Sequence, residues 1–182
     1  MKSFISIITG VFIFMSSLVG AANAADENTL YLYLKDGRVT IQMRPDLAPL
    51  HVARIKELVG EKFYDGLKFH RVIDGFMVQT GDPRGNGTGG SGKKIPAEFT
   101  NEPHFRGAVS MARSSDPNSG DSQFFICLAN ARSLDHQYSV WGQVTEGMEF
   151  VDKIKKGDPN DNGSVSNPDV IVKMRMATDT DQ

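Results

Sequence analysis

Short runs of β-branched, aromatic and aliphatic residues recur along this chain, at 29–34, 39–43, 69–73, 76–80, 108–112, 123–128, 140–144 and 170–176. Stretches rich in Gly, Asp, Asn and Pro separate them. Runs this short, bounded by turn formers, suit strands and are too short for most helices. The first two flank Lys35-Asp36-Gly37-Arg38, which reads as a hairpin. Helical spacing occurs twice. Pro49 opens a pattern of Val52, Ile55, Leu58 and Val59, and Gly60 follows as a C-terminal cap, so a helix is expected over 49–59. A second is expected over 149–155, where Phe150, Val151 and Ile154 precede Gly157. Many strands with only two helices suggest a β-barrel or sandwich, with the run at 170–176 closing the sheet. No internal repeat or linker divides the chain.

The amino terminus does not belong to this pattern. Lys2 precedes an apolar run from Phe4 to Val19, broken by Ser6, Thr9, Gly10, Ser16 and Ser17, and Ala22-Asn23-Ala24 follows. A basic start, an apolar centre and small residues before a cut read as a secretory signal removed after Ala24. The run is shorter than the roughly 20 apolar residues a spanning helix needs. Residues 25–182 are then one domain, with a core at about 30–177. The single Cys excludes an internal disulfide, a CxxC redox site and a Cys-based zinc site. A net charge of −2 without a long basic run argues against nucleic acid as a partner. The mature product is expected to be a soluble, periplasmic monomer with no membrane contact, secretion beyond the cell being the alternative.

Several motifs look chemical. Gly87-Thr88-Gly89-Gly90-Ser91-Gly92-Lys93-Lys94 nearly spells a phosphate-binding loop, but Lys94 stands where Ser or Thr should hold Mg²⁺, and Ile95-Pro96 opens no helix. A flexible rim loop is the simpler reading. Gly120-Asp121-Ser122 is similar to the nucleophile segment of serine hydrolases, and His51, His70, His104 and His136 are available as bases. That reading remains the rival enzyme class. Asp158-Pro159-Asn160-Asp161-Asn162-Gly163, with Asp169 at the twelfth position, fits the start of a calcium loop. Pro159 and the Asp in place of Glu favour a solvated turn instead. Cys127 reads as a small buried hydrophobe. No metal or cofactor is expected.

Three segments point to another chemistry. They are Phe69-His70-Arg71-Val72-Ile73-Asp74-Gly75-Phe76-Met77-Val78-Gln79-Thr80-Gly81-Asp82-Pro83, then Asn86-Gly87-Thr88-Gly89-Gly90, then Ser122-Gln123-Phe124-Phe125-Ile126. With Ser110-Met111-Ala112 and Leu134-Asp135, in this order, they resemble the cyclophilin-type peptidyl-prolyl cis–trans isomerases. The resemblance spans about 30–177. It implies a mainly β fold, a closed eight-stranded antiparallel β-barrel capped by two α-helices. It also implies isomerisation of X–Pro bonds in unfolded or proline-containing polypeptides during folding of exported proteins. By matching motif, it makes Arg71 the catalytic cation. Phe76, Met77, Phe125 and Leu134 would line the proline pocket, and Gln79 and Gln123 would orient Arg71 and the substrate backbone. Ala112 and Arg113 would supply main-chain contacts, with Gly87 beside them. Tyr138 stands where many members carry His, and it can still close the pocket. Ser133 replaces a Trp of many eukaryotic members, which implies weak cyclosporin binding. The loop after Gly157 matches least, and no role transfers to it. A proline-peptide binder with little turnover is the alternative of another class.

Overall fold

In β1 (Thr29–Leu34), Leu30, Leu32 and Leu34 are buried while Thr29, Tyr31 and Tyr33 stay half-buried, the period-two pattern of a strand with one covered face. The chain turns at Lys35-Asp36 and returns as β2 (Gly37–Met43), with Leu34 opposite Gly37. The return strand thus begins two residues earlier than its β-formers suggested. A computed structural model describes residues 27–179; the expected signal segment 1–24 lies outside the described residues. The remaining elements are α1 (Pro49–Gly60), β3 (Arg71–Ile73), β4 (Met77–Thr80), β5 (Ala108–Met111), β6 (Phe124–Cys127), β7 (Val140–Glu146), α2 (Met148–Asp152) and β8 (Lys173–Met176).

Among the described residues all strands join one antiparallel sheet of eight, in the order β3-β4-β6-β5-β7-β2-β1-β8. It curls into a half-barrel, with α1 over β7 and β8 and α2 over β2. The expected closed barrel is not formed. Among the described residues β8 pairs with β1 and β3 with β4, and only the isolated bridges Lys68–Val170 and Arg71–Ser164 span the seam. The reason is that the chain before β8 runs through the seam as a loop. It exchanges scattered hydrogen bonds, such as Val72 N–H to Gly163 (2.8 Å) and Phe69 N–H to Asp169 (2.9 Å), instead of a ladder.

Two helix ends differ from their sequence signals. Gly60 is the last residue of α1, and the left-handed position falls at Lys62, whose φ is 58°. α2 starts one residue early and stops at Asp152, although Ile154 is buried beyond it. At the start of α1 the Ala48 cap has no side-chain acceptor. Glu98, distant in sequence, substitutes by accepting from the Leu50 N–H (3.1 Å) and the His51 N–H (3.0 Å).

β6 is buried on both faces and separates two apolar clusters. Phe124 and Ile126 enter the main core; Phe125 and Cys127 enter a smaller one with Met77, Ala108 and Ala131. Burial pushes the Cys127 thiol up to about 12, so it behaves as the expected small hydrophobe.

Three buried imidazoles make stability depend on pH. Burial is the main cause holding His51, His70 and His104 below the ordinary 6.5. Between those depressed values and 6.5 the unfolded chain binds more protons than the folded one, so stability is complete above 6.5 and declines as pH falls below it. The melting temperature should be nearly level from about pH 8 to 7 and drop on acidification to about pH 5.5, as the unfolding free energy falls by up to about 1.4 kcal/mol per pH unit for each imidazole. A melting temperature unchanged across that range would contradict this account.

Candidate active site

Arg71 opens β3, faces Gln79 across the β3–β4 ladder, and Gln79 in turn faces Phe125 on β6. Cross-strand partners project on one face of a sheet, so these three side chains form a row. Arg71 is anchored on two sides. Its Nε donates to the Asn162 carbonyl (3.0 Å) and one terminal nitrogen to Asn162 Oδ1 (2.8 Å), while the other donates to Gln79 Oε1 (3.2 Å). A guanidinium has five N–H donors, so two remain. Gln79 Nε2 donates to Gln123 Oε1 (2.9 Å), and Gln123 Nε2 donates to the carbonyls of Gly87 (3.1 Å) and Gly89 (2.8 Å). Burial draws the Arg71 pKa down from its ordinary 12.5, but a guanidinium keeps its proton at neutral pH.

The glycine-rich loop behind this relay is stitched down, not the flexible rim its composition suggested. Asp82 accepts from the N–H groups of Arg84 (2.7 Å), Asn86 (3.0 Å) and Gly87 (2.5 Å). Burial opposes its charge, yet these donors outweigh burial and hold the carboxyl below the usual range. Asp121 accepts from the N–H groups of Ser91 (2.8 Å) and Gly92 (3.0 Å) and from the Ser91 hydroxyl, which the buried Arg54 also contacts. Cβ atoms at Gly89 and Gly90 would collide with these two carboxylates. The loop therefore does turn its N–H groups on anions, but the anions are the protein's own: Asp82 within the loop and Asp121 from a distant segment.

An apolar floor lies beside the cation. Arg71, Phe76, Met77, Gln79, Gly87, Ala112, Arg113, Phe125, Leu134 and Tyr138 all line one cavity of about 640 Å³. Gln123 lines an adjoining cavity of about 340 Å³ and reaches the first through Gln79. Tyr138 meets Phe125 edge-on at 5.5 Å, and the Arg113 guanidinium covers Tyr138 at 4.7 Å. Leu134 ends the short 3-10 turn Arg132–Leu134; Ser133 in that turn is exposed and does not line the cavity.

Sequence reasoning missed part of the site. Asp161, Asn162, Ser164 and Val165 line the cavity too, from the loop to which no role was carried over. Asn162, in the left-handed region at φ 49°, holds Arg71 with two groups. The Asn162-Gly163 pair was the available signal, since it marks such a turn, but it does not say where the amide points. His70, Gly85 and Asn86 also line the cavity. The other motifs resolve otherwise. Ser122 is fully buried and its hydroxyl donates to the Gly81 carbonyl (2.7 Å), so no imidazole activates it. Asp158 caps its own turn through the Asn160 N–H, and Asp169 accepts from Lys35 and from the Lys155 N–H. Among the described residues no group of three or more His, Cys, Asp or Glu side chains is arranged to hold a metal ion.

Comparison with known proteins bears on the family and the fold. Residues 29–176 match the family model of the cyclophilin type peptidyl-prolyl cis-trans isomerases. A probable peptidyl-prolyl cis-trans isomerase of Brucella suis is 52% identical over 194 aligned residues, covering 98% of this chain and 99% of that one. Peptidyl-prolyl cis-trans isomerase B of Bacillus subtilis is 44% identical over 133 residues, 71% of this chain and 92% of that one. In structure the chain is similar to a Hirschia baltica cyclophilin at a TM-score of 0.76 and 29% identity, covering 86% of this chain and 76% of that one. A Cryptosporidium parvum cyclophilin crystallised in the presence of the dipeptide Ala-Pro shares the fold at a TM-score of 0.74 and 24% identity, covering 81% of this chain and 98% of that one. Built on this fold, and related along nearly its whole length to named isomerases, the chain belongs to the cyclophilin-type peptidyl-prolyl cis–trans isomerases.

Proposed function

We propose that Arg71 is the catalytic cation of an exported prolyl isomerase, and that the adjoining cavity receives the proline ring of an unfolded or proline-containing polypeptide. One observation carries the assignment: a guanidinium tethered at three positions keeps two N–H donors beside an apolar floor. An X–Pro bond resists rotation because amide resonance raises a barrier of roughly 18–20 kcal/mol. Twisting the bond removes that resonance and leaves a lone pair on a pyramidal prolyl nitrogen. A donor held in place for that lone pair favours the twisted amide over either planar form. The apolar wall of Phe76, Met77, Phe125 and Leu134 would hold the ring while the rest of the amide turns. Gln79 and Gln123 hold the donor still, and the Ala112 N–H is committed to the Gln123 carbonyl, which leaves the Ala112 carbonyl to meet the peptide. No nucleophile, metal or cofactor enters these steps.

The same reading makes the protein a periplasmic monomer that assists folding of exported chains. The apolar run before Ala22-Asn23-Ala24 supports export. Amino-terminal sequencing of the exported form should read Ala25 first; Met1 in that position would end the proposal of export. A protease-coupled isomerisation assay on residues 25–182 with an Ala-Pro tetrapeptide tests the catalytic assignment. Acceleration that depends on Arg71 supports it, whereas peptide binding with no acceleration would make the domain a proline-peptide binder.

A further inference from the structure

A Ser–His–Asp alignment does exist in this molecule, built on a serine other than Ser122. Ser110 Oγ lies 3.0 Å from His104 Nε2, and His104 Nδ1 lies 3.1 Å from Asp135 Oδ1. It cannot act as a nucleophilic triad, because Ser110 and His104 are both completely buried. Its surroundings indicate another use. The His104 ring lies nearly parallel to Phe125, with centroids 6.2 Å apart and planes 18° apart, and meets Tyr138 edge-on at 6.5 Å. Both aromatic rings line the cavity.

We propose that His104 is a positioning residue for the proline cavity, its imidazole fixed between Ser110 and Asp135 so that it sets the Phe125 and Tyr138 walls. The inference rests on placing the proline ring in that cavity. Chain topology supports it. Asp135 also accepts from the His104 N–H (2.8 Å), and the His104 carbonyl accepts from the Ala131 N–H (2.7 Å). Residue 104 thereby ties down both ends of the turn Arg132–Leu134, which carries Leu134 into the cavity and leads on to Tyr138. On the other side, Ser110 is the direct cross-strand partner of Phe125. One imidazole thus connects the segment that bears Leu134 and Tyr138 to the strand pair that bears Phe125.

The protonation pattern follows from the partners. Donation from the His104 backbone N–H, from Arg132 and from the His104 ring holds the Asp135 carboxyl down to about 2, so it is an acceptor at neutral pH. It accepts a hydrogen bond from the Nδ1–H group, and Nε2 is left as the acceptor for the Ser110 hydroxyl. Both nitrogens are used, and the ring cannot flip without breaking both contacts.

The test combines a variant with a measurement on the unaltered protein. His104→Asn keeps a donor near Asp135 and removes the ring and the acceptor for Ser110. It should raise KM for an Ala-Pro tetrapeptide about three- to tenfold, the scale of one lost aromatic contact, with kcat within about twofold because Arg71 and its anchors are untouched. A merely structural role would lower the active fraction, reducing kcat at constant KM, and would overturn the proposal. Should the variant not fold, nitrogen-15 spectra of the natural protein decide. They should show His104 as the Nδ1–H tautomer, and in aromatic carbon-13 spectra its ring signals should shift together with those of Phe125 as the tetrapeptide is added. A shift at Phe125 without one at His104 would overturn the inference and leave the cavity assignment standing. No shift at either ring would remove the cavity assignment and this inference with it.

Discussion

Arg71→Ala should lower kcat/KM for an X–Pro peptide by at least about a hundredfold, or roughly 2.7 kcal/mol of transition-state stabilisation, while the melting temperature barely moves. The two halves of this expectation have separate causes. Arg71 is half-buried at the cavity, and the groups it leaves behind, the Asn162 amide and carbonyl and Gln79 Oε1, lie where water can replace it. Its free donors matter most when the prolyl nitrogen becomes pyramidal, so their loss falls on the barrier rather than on binding. Arg71→Lys should restore little. An ammonium keeps the charge but cannot span Asn162 on one side and Gln79 on the other while still presenting donors to the cavity. Asn162→Ala should sit between, since the main-chain carbonyl to Nε survives and only the Oδ1 contact is lost. Near-normal turnover by Arg71→Ala would show that the catalytic assignment is wrong.

The elements of the fold were largely legible because each buries apolar residues at its own period. β1 alternates Leu with half-buried Thr and Tyr, and α1 buries Val52, Ile55, Leu58 and Val59 along one stripe. Closure of the barrel was not legible in the same way. It depends on whether two strands of three and four residues meet, and the seam is instead occupied by a loop whose hydrogen bonds follow no periodic pattern. The resemblance supplied closure, and the half-barrel corrects it.

The candidate site divides along the same line. Arg71, Gln79 and Phe125 form a row because strand register aligns them, and motif order was enough to bring them together. Asn162 was missed because its contribution depends on the path of a loop, through one amide and one carbonyl. The glycine-rich segment was misjudged for a related reason. Composition speaks for mobility in a run of glycines, but Gly89 and Gly90 are required by the closeness of Asp82, at the start of the loop, and of Asp121, distant in sequence. A glycine that admits a neighbouring carboxylate and one that frees a loop cannot be told apart by residue type alone.

Phe125→Ala and Phe124→Ala, adjacent on β6, should separate catalysis from packing. Phe125 is 5% exposed and belongs to the small cluster under the cavity, stacked on His104 and edge-on to Tyr138. Phe124 is fully buried in the main core, edge-on to Tyr64 at 5.5 Å and to Trp141 at 5.5 Å. Truncating a buried Phe costs about 3–5 kcal/mol through lost transfer energy and the void left behind. Phe125→Ala should fall toward the lower end, because its void opens onto an existing cavity that water can enter, and Phe124→Ala toward the upper end inside the close-packed core. Activity should follow the reverse order. Per folded molecule, measured below the melting transition, Phe124→Ala should keep kcat/KM within about threefold of the natural chain, whereas Phe125→Ala should lose about tenfold or more as the wall facing the proline ring disappears. The variant with the smaller loss of stability is thus expected to show the larger loss of activity. Equal activity in the two variants, once corrected for the folded fraction, would mean that the Phe125 face of β6 does not hold the substrate.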